Sequence, residues 1–184
     1  MLADICSLLP VVCYNAYEAK LFKAVYLLAY FGLFRVSELV CTSHAGANAG
    51  LQFADLSFGT GYKSVSVTLK TYKTKQTGPP TVINISHESD TGMCPVQSLY
   101  EFAQVRPGNS GAIFCHANGY LVSRSQFTGV LNKCIRASPY RNSIIRSHSF
   151  RIGRATQLAA AGVPGDAIMK MGRWRSDAYL TYIR

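Results

Sequence analysis

His148 and Arg151 stand three residues apart, a spacing that puts both on one face of a helix. Further on come Gly172-Arg173-Trp174-Arg175 and then Tyr182. An indole N–H can only donate, a guanidinium donates in a fixed fork, and a phenol is a possible nucleophile. Donors gathered round a phenol suit chemistry on a phosphate, and the grouping points at cleavage of a DNA strand.

The charge distribution agrees. The chain has 184 residues and a formal charge of +10. Residues 1–119 carry eight basic and seven acidic side chains, whereas residues 120–184 carry eleven basic and two acidic, Asp166 and Asp177. A half that basic is the electrostatic footprint of a polyanion partner. A hydrophobic content of 48% excludes general disorder, and the length suits one domain with a real core. Cys6, Cys13, Cys41, Cys94, Cys115 and Cys134 form no C-x-x-C pair, and His44, His87 and His116 complete no zinc set. They read as reduced, mostly buried thiols of an intracellular protein. The apolar run from Ala24 to Phe34 is only eleven residues long, which suits a buried helix and not a membrane span. Met1 to Pro10 is apolar but lacks a basic leader, so no signal peptide is expected.

The elements that must position these residues are mainly helical. Asn15 to Tyr30 reads as a helix, with Asn15 as cap and Glu18 completing a capping box. Phe34 to Leu39 opens a short one. Three strand-like pieces follow: Leu51 to Ser57, Lys63 to Leu69 with alternating Val65 and Val67, and Thr81 to Ile85. Gln76-Thr77-Gly78-Pro79-Pro80 breaks the chain before the last, making Lys70 to Lys75 a strand end and its turn. Pro95 to Val105, Ser123 to Ala137, His148 to Ala161, Pro164 to Met171 and Ser176 to Ile183 read as helices. The expected class is α+β, mainly α, a helical domain with a small three-stranded antiparallel sheet.

In these boxes the chain resembles the catalytic domain of a tyrosine recombinase of the phage integrase family. The resemblance rests on Phe34-Arg35-Val36-Ser37-Glu38-Leu39, on His148-Ser149-Phe150-Arg151-Ile152-Gly153, on Gly172-Arg173-Trp174 and Tyr182, and on a turn lysine within Tyr72 to Gly78. The ending from Gly172 to Arg184 is most similar to recombinases of eukaryotic mobile elements of the DIRS and Crypton kind. By that resemblance, Tyr182 attacks the scissile phosphate to give a 3′-phosphotyrosyl bond and a free 5′-hydroxyl. Arg35 and Arg151 grip the non-bridging oxygens bidentately. Trp174 donates to the same phosphate, His148 hydrogen-bonds it and manages the tyrosine proton, and Lys73 protonates the leaving oxygen. Glu38 orients Arg35 as an acceptor behind it. No metal and no other cofactor is implied.

Alternatives stay open at single residues. Tyr179 competes with Tyr182, Lys70 and Lys75 flank Lys73 on one turn, and Trp174 also fits simple core packing. Arg124, Lys133, Arg146, Arg154, Arg173 and Arg175 are candidates for DNA-backbone contacts, and Gln126 for a base edge. The expected partners are double-stranded DNA and, in the full-length protein, further copies in a tetramer on paired sites. No membrane partner is expected, and in a eukaryote the location would be the nucleus. Residues 1–184 are expected to be one catalytic domain, without the family's N-terminal clamp domain and C-terminal tail. Two other functions compete: relaxation of DNA in the manner of a type IB topoisomerase, and a domesticated or decayed module that only binds DNA. The order and compactness of the boxes argue against the first, and the complete residue set argues against the second.

Overall fold

A computed structural model describes residues 1–42, 50–70, 79–88 and 92–184. The helices are α1 (Leu2–Val12), α2 (Ala16–Phe31), α3 (Val36–Leu39), α4 (Pro95–Val105), α5 (Arg124–Ala137), α6 (Ser149–Ala160) and α7 (Gly165–Gly172). The strands are β1 (Leu56–Phe58), β2 (Ser64–Leu69) and β3 (Thr81–Ser86), which form one antiparallel sheet in the order β1-β2-β3. The mainly helical α+β class expected from the sequence is the one observed.

Local chemistry sets most of the boundaries. The Asn15 side chain accepts from the Glu18 amide at 2.9 Å, which starts α2. Ser123 and Gln126 exchange the two bonds of a capping box at the head of α5. Pro95 occupies the first turn of α4, where its missing N–H costs nothing. In the sheet, Val65, Val67, Leu69 and Ile85 turn inward, and the register pairs Val65 with Ile85.

Helix α2 is the central post. Residues 24–29 are all buried, with α1, α4 and α6 packed round it. The Tyr26 hydroxyl donates to the Phe127 carbonyl at 2.9 Å, and its ring lies 4.8 Å from Phe127 and 5.2 Å from Phe150. Because Phe150 is held in that aromatic group, the rotation of α6 is fixed, and with it the direction of the adjoining Arg151. Cys6, Cys94, Cys115 and Cys134 are buried, while Cys13 and Cys41 are half-buried. No helix among the described residues is long and apolar enough to cross a membrane.

Three expectations about elements are corrected. Leu51 to Ser57 is not one strand: a 3-10 helix over Phe53–Asp55 interrupts it, because the Asp55 carboxylate folds back to accept from the Gln52 amide at 3.0 Å. Ser176 to Ile183 is not an α-helix; a 3-10 helix covers Asp177–Tyr182. The apolar N-terminus, given no element from the sequence, is helix α1 despite Pro10, and its Ile5 and Leu9 bury against the core.

Candidate active site

The site forms where two distant parts of the chain meet. Helix α2 ends at Gly32, and Leu33 takes a left-handed backbone, φ +50°, that reverses the chain. Arg35 comes next as the cap of α3. The Glu38 carboxylate accepts from the Arg35 amide at 2.8 Å and from Arg35 Nη1 at 3.1 Å. The far end of α3 is tied to α5, since Cys41 accepts from the Arg124 amide and donates to Val122. That tie puts Arg124 beside Arg35.

The second part comprises α6, α7 and the chain from Arg173 to Arg184. His148 caps α6, and Arg151 lies in its first turn. Helix α7 closes with Arg173 in a left-handed conformation, φ +58°, and Trp174 turns back over Gly172. A Cβ on Gly172 would sit 1.6 Å from the Trp174 ring, so only glycine lets the indole approach the backbone this closely. The last segment is held to α6 by Thr156, whose hydroxyl donates to the Tyr182 carbonyl at 3.1 Å.

Together these pieces wall a cleft of about 620 Å³. Arg35, Arg124, His148, Arg151, Arg173, Trp174, Arg175 and Tyr182 line it, with Ser37, Ser147 and Ser176 among the polar neighbours. The His148 and Tyr182 rings are 4.7 Å apart, and the Trp174 and Tyr182 rings 4.9 Å. The Arg151 guanidinium lies 4.5 Å from the Trp174 ring centroid and 5.8 Å from that of Tyr182. Trp174 Nε1 and Arg151 Nε are buried, and neither has a hydrogen-bond partner among the described residues. Such an orphaned donor costs about 1–3 kcal/mol, a penalty removed by an acceptor entering the site.

The electrostatics derive from that crowding. Arg151 is fully buried, and burial, aided by Arg35 and Arg173, lowers its pKa to about 10, which leaves it cationic at neutral pH. The edge of His148 stays exposed, yet partial burial of the ring, with Arg151 and Arg35 beside it, holds its pKa below the usual 6.5. The ring is therefore a neutral acceptor at pH 7.

Several candidate residues sit differently from the sequence-based expectation. Arg173 does not face a DNA backbone. Its side chain is 3% exposed and bonds Glu38 Oε2 at 2.9 Å, the Leu33 carbonyl at 2.9 Å and the Gly32 carbonyl at 3.2 Å. A buried carboxylate is a better partner for it than water, which is why it turns inward. Arg151 donates through its two terminal nitrogens to the Leu33 and Gly172 carbonyls, which ties its guanidinium to both halves of the site. Arg154 is not in the cleft lining; its guanidinium covers Phe31 at 4.8 Å and bonds Gln157. Lys133 and Arg146 are exposed but also lie outside that lining. Gln126 closes the α5 capping box, its Oε1 accepting from the Ser123 amide at 2.8 Å. Tyr179 does not line the cleft and directs its hydroxyl at Gly165. Lys70 is paired with Asp55 at 2.8 Å, and Lys73 and Lys75 lie outside the described residues. No group of three His, Cys, Asp or Glu that could hold a metal ion occurs among the described residues.

A helical domain that gathers arginines and an indole donor round one tyrosine is a domain shaped to receive a phosphate. The chain belongs to the phage integrase family, whose pattern matches residues 4–182. Its fold is similar to that of the XerH site-specific recombinase bound to difH substrate in a pre-cleavage complex. The TM-score is 0.72 at 13% identity, over 98% of this chain and 47% of that one. It is also similar to the Tn1549 transposon integrase in complex with a circular intermediate DNA. There the TM-score is 0.61 at 18% identity, over 98% of this chain and 58% of that one. The chain thus spans about half the length of the solved proteins it matches. No curated protein matches its sequence.

Proposed function

We propose that residues 1–184 act as the catalytic domain of a site-specific DNA recombinase that cuts and rejoins strands through tyrosine. The observation that carries this reading is the pair of buried, unpartnered donors, Trp174 Nε1 and Arg151 Nε, in a cleft shared with Arg35, His148 and Tyr182. Unmet donors beside a phenol call for an anionic acceptor, and a DNA phosphate supplies one.

In the proposed reaction the Tyr182 oxygen attacks phosphorus while the bond to the 5′-oxygen breaks. The phenol proton passes to neutral His148, whose ring is 4.7 Å from that of Tyr182. Lys73 gives a proton to the leaving oxygen, the role its resemblance assigns. The products are a 3′-phosphotyrosyl ester and a 5′-hydroxyl, and reversal of the same step rejoins the strand without a nucleotide. Round the cleft Arg35, Arg124, Arg151, Arg173 and Arg175 carry five positive charges against one on Glu38, a local balance of +4. A surplus of that sign opposes the negative charge that builds on the phosphate oxygens in the transition state.

The XerH and Tn1549 proteins were solved with DNA, which supports duplex DNA as partner here. A tetramer on paired sites is the proposed assembly of the full-length protein. The run from Gly172 to Arg184 supports an origin in a mobile element of the DIRS or Crypton kind, with action in a nucleus.

The test is a pool of nicked suicide duplexes, from which the leaving strand diffuses after cleavage. An SDS-resistant adduct mapped to Tyr182 by mass spectrometry, and absent in Tyr182→Phe, is the expected result. An adduct that survives in Tyr182→Phe would move the nucleophile. Salt-sensitive binding with no adduct, in longer versions of the protein too, would make this a binding module.

A further inference from the structure

Arg173 is buried between the two halves of the site. Its guanidinium bonds Glu38 Oε2, the same oxygen that accepts from the Arg35 amide. It also bonds the Leu33 carbonyl, which receives Arg151 Nη1 as well. Its backbone is joined directly to Trp174. Each of the three groups proposed to hold the phosphate is therefore one shared acceptor or one peptide bond from Arg173.

The backbone carries a second, independent sign. Among the described residues, Leu33, Tyr62 and Arg173 are the non-glycine residues with positive φ, and two of these three meet at this node. A β-carbon disfavours that conformation, so it persists where surrounding bonds determine it. Glycine would close α7 at position 173 without strain. Backbone bonds from Arg173 to Lys170 and from Trp174 to Met169 close the helix, and the guanidinium bonds to Glu38, Leu33 and Gly32 add to them.

We propose that Arg173 is a positioning residue: through Glu38 it sets the guanidinium of Arg35, and through the Leu33 carbonyl it fixes the seat of Arg151. This deepens the recombinase reading and rests on it for its consequence, since the phosphate of that reaction is what Arg35 and Arg151 receive. Without Arg173, Arg35 is the remaining ion-pair partner of the buried Glu38 carboxylate among the described residues. The Arg35 guanidinium, already bonded to Glu38 through Nη1, is then drawn further onto that carboxylate and away from the cleft.

The experiment compares the native chain with Arg173→Gly, which relieves the positive φ while removing the bonds, and with Arg173→Lys. The first measurement is NMR of labelled arginine side chains without DNA. In the native chain the Arg35 guanidinium is expected to rotate slowly with resolved terminal nitrogens, and in Arg173→Gly to shift and change its rotation rate. The second is the adduct rate on a trapped duplex whose scissile linkage is either a phosphodiester or an uncharged methylphosphonate. On the phosphodiester the rate should fall about 10-fold to 100-fold, the loss usual when a group orienting a ligand-binding side chain is removed. On the methylphosphonate, which presents less charge to the arginines, the loss should shrink to within a few-fold, with DNA affinity nearly unchanged in both. Arg173→Lys, which keeps the charge on one point donor, should recover part of the rate. An unaltered Arg35 signal in Arg173→Gly, or an equal loss on the two linkages, would overturn the proposal. If neither the native chain nor longer versions of it form an adduct the recombinase reading fails, and the NMR comparison still decides whether Arg173 positions Arg35.

Discussion

Trp174 and His148 divide the demands of the cleft between them. Trp174 supplies packing and an N–H with no partner, so replacing it by Phe retains most of the packing and deletes the donor. A hydrogen bond to a charged group is worth about 1.5–3 kcal/mol, which corresponds to a loss of roughly tenfold to a hundredfold. Trp174→Phe should therefore lower the single-turnover adduct rate by that factor with little change in thermal midpoint. An equal loss of stability and rate would make the indole a packing residue only. His148 is argued from its depressed pKa. Below that pKa the ring is protonated and accepts nothing from Tyr182, so the second-order rate of adduct formation should rise with pH through a midpoint below 6.5. The free protein should show the same sense. The unfolded ring takes up its proton near pH 6.5, above the folded value, so acid weakens the fold at this residue and the loss disappears as pH rises. An acid limb centred above 6.5 would show that the cleft stabilises the charged ring.

Helix ends do the positioning. The α2–α3 turn presents Arg35 and the Leu33 carbonyl, the start of α5 presents Arg124, and the α7 end sets Trp174 over Gly172. The last junction is the tightest, since a Cβ on Gly172 would collide with the Trp174 ring at 1.6 Å. Gly172→Ala should displace the indole from Arg151, visible as a change in Trp fluorescence, and cut the adduct rate more than Trp174→Phe does. Retention of both the native spectrum and the rate would show that the junction has room to relax. The segment that bears Tyr182 rests on a small separate core of Leu33, Ala155, Leu158 and Ile168, with no buried residue of its own in Asp177–Tyr182. In the proposed reaction, a light anchorage lets Tyr182 reach the phosphate and be carried with it.

Across the whole molecule, the basic second half converges on the first half's Arg35. Arg124 and Arg175 are the exposed cations of the cleft lining, while Arg151 and Arg173 are buried beneath. DNA affinity should fall steeply with salt, as phosphate contacts release counterions. Arg124→Ala should reduce the slope of log K against log salt by about 1, the change expected for one lost phosphate contact. Arg154→Ala should leave it unchanged, because that guanidinium is engaged on Phe31 and Gln157. Equal slopes for Arg124→Ala and the native chain would remove Arg124 from the interface.

Neighbouring residues decide the part of this protein that was legible in the sequence. The Asn15–Glu18 and Ser123–Gln126 pairs start their helices, alternation marks β2, and the order of Arg35, Glu38, His148, Arg151, Trp174 and Tyr182 already carried the resemblance to the phage integrase family. These depend on spacing within a few residues or on side-chain type alone. The tertiary structure decided where the donors point. Arg173 and Glu38 are 135 residues apart, and nothing local tells whether that arginine meets solvent or a buried carboxylate. The same holds for Tyr179 and Tyr182, close neighbours of which Tyr182 lines the cleft while the Tyr179 hydroxyl lies against Gly165. Helix α1 escaped notice because its apolar residues gain their meaning only against α2 and α5. Residue types fix which reactions are possible, whereas burial and long-range hydrogen bonds fix which charges are free to take part.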